Sequence, residues 1–260
     1  MPTRATLRSM EAAVKRVARA LGRARRVLVI TGAGLSVDSG LPTYRGLGGL
    51  YDTADTEDGV PIEVALSGRM MRENPTLCWR YITQIEAACA GAEPNRGHAA
   101  IAALEADDRD VWVLTQNVDG FHRAAGSTAV IDIHGDLHWR RCTQCAYRHE
   151  RNPTETTDEP PACPRCRAPL RPDVVLFDEM LPVEKVHNLR RQLLIGFDVT
   201  LSVGTSSLFP YIAQPVELAH QRGSLAVEIN PQPTPVSSHC DVVLRMGATE
   251  AFEALLTQIG

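Results

Sequence analysis

Four of the seven cysteines fall in two close pairs, Cys142–Cys145 and Cys163–Cys166, in the pattern C-x2-C-x17-C-x2-C. Each pair offers two thiolates from one tight turn, and two such pairs close a tetrahedron around zinc. Pro161 and Pro164 suit the turns. Four protein ligands leave no open coordination position, so the expected metal is structural rather than a Lewis acid. His138 lies nearby but at a less regular spacing. Cys78, Cys89 and Cys240 are isolated. An odd cysteine count with two C-x2-C pairs and no secretory signal argues for a reducing compartment and a metal, not for disulfides.

Other residues point to nucleotide chemistry. Gly32-Ala33-Gly34 follows an apolar run, as the first half of a dinucleotide fingerprint does, but Val37 stands where the third glycine would be. Alone, this describes many glycine-rich turns. His134 beside Gly135 is a candidate general base, because unperturbed imidazole titrates near working pH; a histidine beside a glycine can equally be structural. Asn117 and Asp119 follow another apolar run, where an amide and a carboxylate can orient a ligand or cap a helix.

These residues need elements to hold them. Apolar runs at 27–31, 111–115, 199–203, 225–229 and 242–244 have the length of buried strands. Helical patterns occupy 75–90, 98–106, 183–195, 211–221 and 249–259. Such alternation predicts an α/β fold with a parallel sheet and helices on both faces. The strands end in small or polar residues at their carboxyl ends, where open α/β sheets bind ligands. Two stretches, 43–95 and 136–173, interrupt the alternation. Over residues 2–26, Met10, Val14, Val17, Ala18 and Leu21 recur at helical spacing. That segment is Arg-rich like a mitochondrial transit peptide, yet a strand follows with no spacer, which favours a first helix and a cytoplasmic over a mitochondrial protein.

Composition narrows the classes. With 44% hydrophobic and 22% charged residues the chain is expected to be globular. No apolar run has the length of a membrane span. A net charge of −4 disfavours nucleic acid as partner and weakly suits a Lys-rich one.

The run from Gly32 through Ser39, Gly40, Leu41, Pro42, Thr43, Tyr44, Arg45 and Gly46 resembles the sirtuin signature GAGxSxxSGIPxFRG. Thr115–His122 is similar to the family's TQNIDGLH, His134-Gly135 stands at its catalytic HG, and the four cysteines follow at the family's place. Arg171–Pro182 resembles RPxVVxFGExLP, while Gly204-Thr205-Ser206 and Ile229-Asn230 match two adenosine-side motifs. The resemblance covers about residues 27–231.

It implies a Rossmann-like NAD-binding domain made of 1–42, 96–135 and 174–260. A small domain would comprise 43–95, which holds the cofactor loop and a helical part, and the zinc module at 136–173. The implied function is NAD-dependent removal of acyl groups, most simply acetyl, from protein lysines. NAD is the co-substrate and one structural zinc is bound per chain. The substrate's acyl oxygen attacks C1′ of the nicotinamide ribose as nicotinamide leaves. His134 then takes a proton from a ribose hydroxyl, whose oxygen attacks the alkylamidate, and O-acyl-ADP-ribose results. Asn117, the second expected catalytic residue beside His134, and Asp119 face the nicotinamide and its ribose, with Gln116 on the ribose side. Gly32, Ala33, Gly34, Ser36 and Arg45 face the phosphates, and Tyr44, with Thr43 before it, shields the nicotinamide side. Gly204, Thr205, Ser206 and Asn230 serve the adenosine ribose. Val174, Val175, Phe177, Asp178 and Glu179 form an extended edge that pairs with the acyl-lysine peptide.

Departures from the pattern refine these expectations. Tyr44 replaces Phe, Thr43 stands where Asp is common, and Tyr51 replaces a common Trp. Asp178 replaces the Gly of FGE, which would put a side chain at the peptide groove. Sirtuins that prefer succinyl- or malonyl-lysine carry a Tyr-x-x-Arg pair before the EPNxGH run. Counting back from Glu93–His98 puts Ile82 and Ile85 there, so uncharged acyl groups are expected. ADP-ribosyl transfer or NAD hydrolysis on the same scaffold, and a non-catalytic NAD-sensing zinc module, are the competing readings. The oligomeric state is not encoded in any of these features.

Overall fold

The computed structural model describes residues 4–42, 56–106, 108–152, 157 and 159–259. In chain order the strands are β1 (Arg26–Thr31), β2 (Asp110–Thr115), β3 (Ala129–Asp132), β4 (Gly135–Cys142), β5 (Arg148–Glu150), β6 (Leu170–Val174), β7 (Val199–Val203), β8 (Leu225–Ile229) and β9 (Val242–Leu244). The α-helices are α1 (Arg4–Arg23), α2 (Ile62–Ala65), α3 (Gly68–Glu73), α4 (Pro75–Cys89), α5 (Arg96–Ala103), α6 (Phe121–Ala124), α7 (Val183–Ile195), α8 (Pro210–Gln221) and α9 (Ala248–Ile259). The five expected strands and the first helix are present, with ends differing by a residue or two. β3 is additional; a four-residue run is too short to show a period.

Six strands form one parallel sheet in the order β3-β2-β1-β7-β8-β9. β1 shows why it is covered twice. Val27 and Val29 enter a core with Val14, Leu21, Ile101 and Phe252 of α1, α5 and α9. Leu28 and Ile30, pointing the other way, enter a second core with Leu189, Ile212 and Val216 of α7 and α8. A strand buried on both faces is apolar at nearly every position, so its sequence is a continuous run. No helix among the described residues is long and apolar enough to cross a membrane.

A second sheet, β5-β4-β6, is antiparallel and three-stranded. A third core joins it to the helical insertion: Ile62, Met71, Trp79, Tyr81 and Ile82 pack with Leu137, Val174 and Leu176. An ion pair between Arg140 of β4 and Glu86 of α4, 2.6 Å apart and almost fully buried, ties the same surfaces together. The Arg140 guanidinium also lies 5.1 Å from the Trp79 ring centroid. Removing one partner of such a pair would strand a buried charge.

The strand order reverses between β1 and β7, and there the two loops leaving the sheet touch through their main chains. Gly34 N–H donates to the Gly204 carbonyl at 2.8 Å, and Gly204 N–H donates to the Ile229 carbonyl at 3.0 Å. Gly204 has φ +57°, and a Cβ on it would lie 2.6 Å from the Leu35 nitrogen. Gly204→Ala should therefore cost more than about 1 kcal/mol, because strain and collision act together. A lowered denaturant midpoint at unchanged slope is the expected result; an unchanged midpoint would refute the close approach.

Candidate active site and metal centre

A crevice at the point of order reversal is where a doubly wound sheet binds dinucleotides. The polar residues ending three strands are linked across it. Ser36 Oγ donates to the Asp119 carboxylate at 2.8 Å, and the other carboxylate oxygen accepts the Phe121 N–H at 3.0 Å. The Asn117 amide donates to the Gly32 carbonyl and to Ser36 Oγ, each at 3.1 Å. Gln116 Nε2 donates to Thr205 Oγ1 at 2.7 Å. Asp119 is buried, and burial raises its carboxyl above the usual range against the opposing bonds from Phe121 and Ser36. Ala33 is half-buried beside these groups and Ser206 is exposed. Asn230 donates through its amide to the Thr205 carbonyl at 3.0 Å, while its side-chain oxygen accepts the Gln232 N–H at 3.1 Å. Thr43, Tyr44, Arg45 and Tyr51 lie outside the described residues. The order reversal, the side-chain-free loop contact and this set of amides, hydroxyls and one carboxylate fit a dinucleotide such as NAD.

His134 sits between the two sheets. β3 ends two residues before it and β4 begins with the next residue, Gly135. Gly135 has φ +93°, and a Cβ there would fall 2.1 Å from the Asp173 carbonyl oxygen, so β4 can cross β6 only without a side chain. The His134 carbonyl accepts the Val175 N–H at 2.7 Å.

The imidazole is held at both nitrogens. Nδ1 is 3.1 Å from the Gln116 carbonyl and Nε2 is 2.7 Å from the Tyr211 hydroxyl. A carbonyl only accepts, so Nδ1 carries the proton and Nε2 presents a lone pair to Tyr211; this tautomer follows from the partners. Burial pushes the His134 pKa below its usual value; the bond to Gln116 opposes this, and nearby Lys185 adds to it. A lowered pKa favours the neutral imidazole that a general base requires, and its one lone pair is bonded to the Tyr211 hydroxyl. Tyr211 and Phe209, stacked with centroids 5.4 Å apart, both meet the imidazole edge-on. Neither residue is marked by motif or spacing. Only the hydrophobic–polar mix at the start of α8 hints at them.

The segment after β6 is the one expected to meet a peptide. Val174 pairs with Gly135, and Phe177 N–H donates to the Leu66 carbonyl at 3.0 Å, while Gly68 N–H donates to the Phe177 carbonyl at 2.9 Å. The Asp178 side chain, expected at the peptide groove, is instead bonded to the start of α3. Its carboxylate accepts from Gly68 N–H at 3.0 Å and Arg69 N–H at 3.3 Å. The reason is local: a negative charge is favourable at a helix N-terminus. Asp178 has φ +65°, a conformation Asp tolerates better than most residues. The Glu179 carboxylate accepts from both terminal nitrogens of buried Arg171 and, at 2.9 Å, from Leu176 N–H. It closes the turn rather than facing outward.

The four cysteine sulfurs converge, all within 4.8 Å of one another. Cys142 and Cys166 Sγ are 3.4 Å apart, Cys145 and Cys163 Sγ 3.7 Å, and Cys145 and Cys166 Sγ 3.6 Å. A ZnS4 tetrahedron with bonds of about 2.3 Å has edges of about 3.8 Å, so the set fits one zinc ion. Gln144 N–H points at Cys142 Sγ (3.3 Å) and Arg165 N–H at Cys163 Sγ (3.4 Å), as thiolates in tight knuckles require. The site lies among Leu170, Tyr147 and Ala168, outside the crevice network.

The fold and site define a class: a dinucleotide-type parallel sheet with a four-cysteine antiparallel sheet that begins directly after the histidine. The Sir2 family model matches residues 32–209, and the chain belongs to this family. It is 51% identical to the NAD-dependent protein deacylase 2 of Pseudomonas syringae pv. tomato, over 93% of this chain and 98% of that one. It is 50% identical to the protein of the same name from Pseudomonas aeruginosa, over 94% and 96%. Among solved structures, a Sir2 homolog–NAD complex superposes with a TM-score of 0.84 at 32% identity, covering 94% of this chain and 93% of that one. A Sir2 protein with a deacetylated p53 peptide and 3′-O-acetyl ADP ribose superposes with a TM-score of 0.83 at 25% identity, covering 94% and 98%.

Cys163→Ser should lose the metal and lower the thermal midpoint, because a closed four-thiolate site contributes directly to folding. Elemental analysis showing one zinc per chain in the variant would overturn the ligand set.

Proposed function

We propose that this chain is an NAD-dependent protein-lysine deacylase that releases nicotinamide and O-acyl-ADP-ribose. The observation that carries the reading is His134: half-buried, its pKa lowered by burial, with Nδ1 on the Gln116 carbonyl and its own carbonyl bonded to the segment expected to meet the peptide. When bound, NAD supplies a ribose carbon from which nicotinamide can leave. The protein's residues position and deprotonate. Asn117 and Asp119 orient the nicotinamide end, with Gln116 beside the ribose. Gly32, Ala33, Gly34 and Ser36 leave room for the phosphates, and Thr205, Ser206 and Asn230 border the adenosine side. Thr43, Tyr44 and Arg45 are assigned to the same cofactor on the sequence resemblance.

The partner is an acyl-lysine peptide, lying as a strand along Val174–Glu179, with Phe177 walling the acyl group. The Asp178 and Glu179 carboxylates are engaged internally, so neither supplies a charge to the peptide. We divide the chain into a large domain of 1–42, 96–135 and 174–260 and a small domain of 43–95 and 136–173. The buried Arg140–Glu86 ion pair and the packing of Leu137 in the core of the helical insertion support grouping 43–95 with 136–173. Unpaired thiols among the seven cysteines support a reducing compartment, and we place the protein in the cytoplasm.

The acyl preference rests on α4. Ile82 is buried in the small core, with Ile85 packed against it. The nearby polar groups are taken: the Arg80 guanidinium and the Tyr81 hydroxyl both bind Asp58, at 2.6 and 2.5 Å. A succinyl carboxylate would lose hydration without gaining a cation. Acetyl-lysine peptide should exceed its succinyl counterpart in kcat/KM by about tenfold or more, about 1.4 kcal/mol per factor of ten. A succinyl preference would show that another cation reaches the acyl group.

His134→Ala should bind NAD yet lose about 100- to 10,000-fold in deacylation, the usual contribution of a general base. In the unaltered enzyme the base must be neutral, and its pKa is lowered from 6.5. Activity should therefore hold below pH 6.5 and fall only as the pH drops through the lowered value. Mass spectrometry for O-acyl-ADP-ribose across pH tests both statements; wild-type turnover in the variant would remove His134 from the mechanism.

A further inference from the structure

The hydrogen bond from Tyr211 to His134 poses a chemical problem. A neutral imidazole has one in-plane lone pair, and with Nδ1–H on the Gln116 carbonyl that pair is at Nε2. The Tyr211 hydroxyl occupies it at 2.7 Å. A ribose hydroxyl cannot also donate to Nε2 while this bond stands. The phenol itself remains able to accept: a hydroxyl that donates one proton still has lone pairs, and among the described residues Tyr211 Oη has no second hydrogen-bond partner. Its ring is fixed, stacked on Phe209 with an interplanar angle of 13°, at the first turn of α8. Phe209 is itself exposed.

We propose that Tyr211 is a catalytic residue that relays the proton between the ribose hydroxyl and His134; this rests on the deacylase reading above. Tyr211 Oη accepts the ribose proton as its own phenolic proton passes to Nε2. The electron pair of the broken O–H bond forms the new O–C bond at the acyl carbon, whose C=N π pair moves onto the lysine nitrogen. His134 ends as imidazolium, with Nδ1–H still on the Gln116 carbonyl, and Tyr211 is neutral before and after. Burial pushes the Tyr211 phenol up to about 12, so it is a protonated donor throughout the working range rather than a base in its own right. The relay explains why a half-buried tyrosine can cap the base without blocking it.

Tyr211→Phe keeps the ring stack and deletes the hydroxyl. In the free protein with ring-15N histidine, the Nε2 resonance of His134 should shift while Nδ1 stays protonated. In turnover, exchange of labelled nicotinamide into NAD, which reports the step before proton transfer, should stay near the wild-type rate. Formation of O-acyl-ADP-ribose should fall about 100-fold. The wild-type rate in H2O/D2O mixtures should give a bowed proton inventory, as two protons in flight require. Product formation at or above the wild-type rate would make Tyr211 a mere cover and overturn the relay. Parallel loss of exchange and product would reduce it to a structural role and overturn it equally. The deacylase reading fails separately: the wild-type protein would then make no O-acyl-ADP-ribose from any acyl-lysine peptide.

Discussion

The approach of two main chains at the point where the strand order reverses is the constraint on which the site depends. Gly34 and Gly204 touch without side chains between them, through a 2.8 Å hydrogen bond. This contact sets where β1 and β7 release the chain, and so where Ser36 and Thr205 stand. From these two residues bonds run to Asp119, Asn117 and Gln116. The glycines that the sequence suggests are for a phosphate are also required by the neighbouring loop. One close approach thus serves both the fold and the crevice, and the crevice residues form a linked array rather than a set of independent ligand groups.

His134 has a different kind of support. It lies between a strand of the parallel sheet and a strand of the antiparallel sheet. Its main chain is bonded to the segment after β6, and its ring to the end of β2 and the start of α8. The position of His134 therefore depends on several elements at once. Gly135 makes the crossing possible, since any Cβ there would collide with Asp173. The zinc site holds the far end of the same antiparallel sheet, near Cys142 and Leu170. A metal held there would support the position of His134 without contributing charge to it.

Acidic residues around the peptide edge show how context redirects a side chain. Asp178 and Glu179 sit in a segment whose resemblance implies substrate contact, yet both carboxylates turn inward. One caps α3 and the other clamps Arg171. Both solutions follow from the low tolerance for unpaired charge near a packed surface. Both carboxylates thus serve internal contacts, one at the start of a helix and one in a turn.

Several features were decided by local sequence. A double C-x2-C pattern needs no tertiary information to suggest a metal, because each pair is ligand-competent within its own turn. Continuous apolar runs mark β1, β2, β7 and β8, because strands buried on both faces are apolar throughout. Helical spacing likewise marks α1, where Val14, Val17, Ala18 and Leu21 form the buried stripe. The family motifs singled out Gln116, Asn117, Asp119 and His134 as candidates without any knowledge of their partners. Other features belong to the tertiary structure alone. β3 is too short to carry a period, and its pairing with β2 makes it a strand. The meeting of Tyr211 with His134 joins residues 77 apart in the chain. The inward turn of Asp178 depends on α3, 110 residues earlier. Periodicity and motif register what a residue does within its own element, whereas a hydrogen bond between distant elements exists only once packing has brought them within 3 Å.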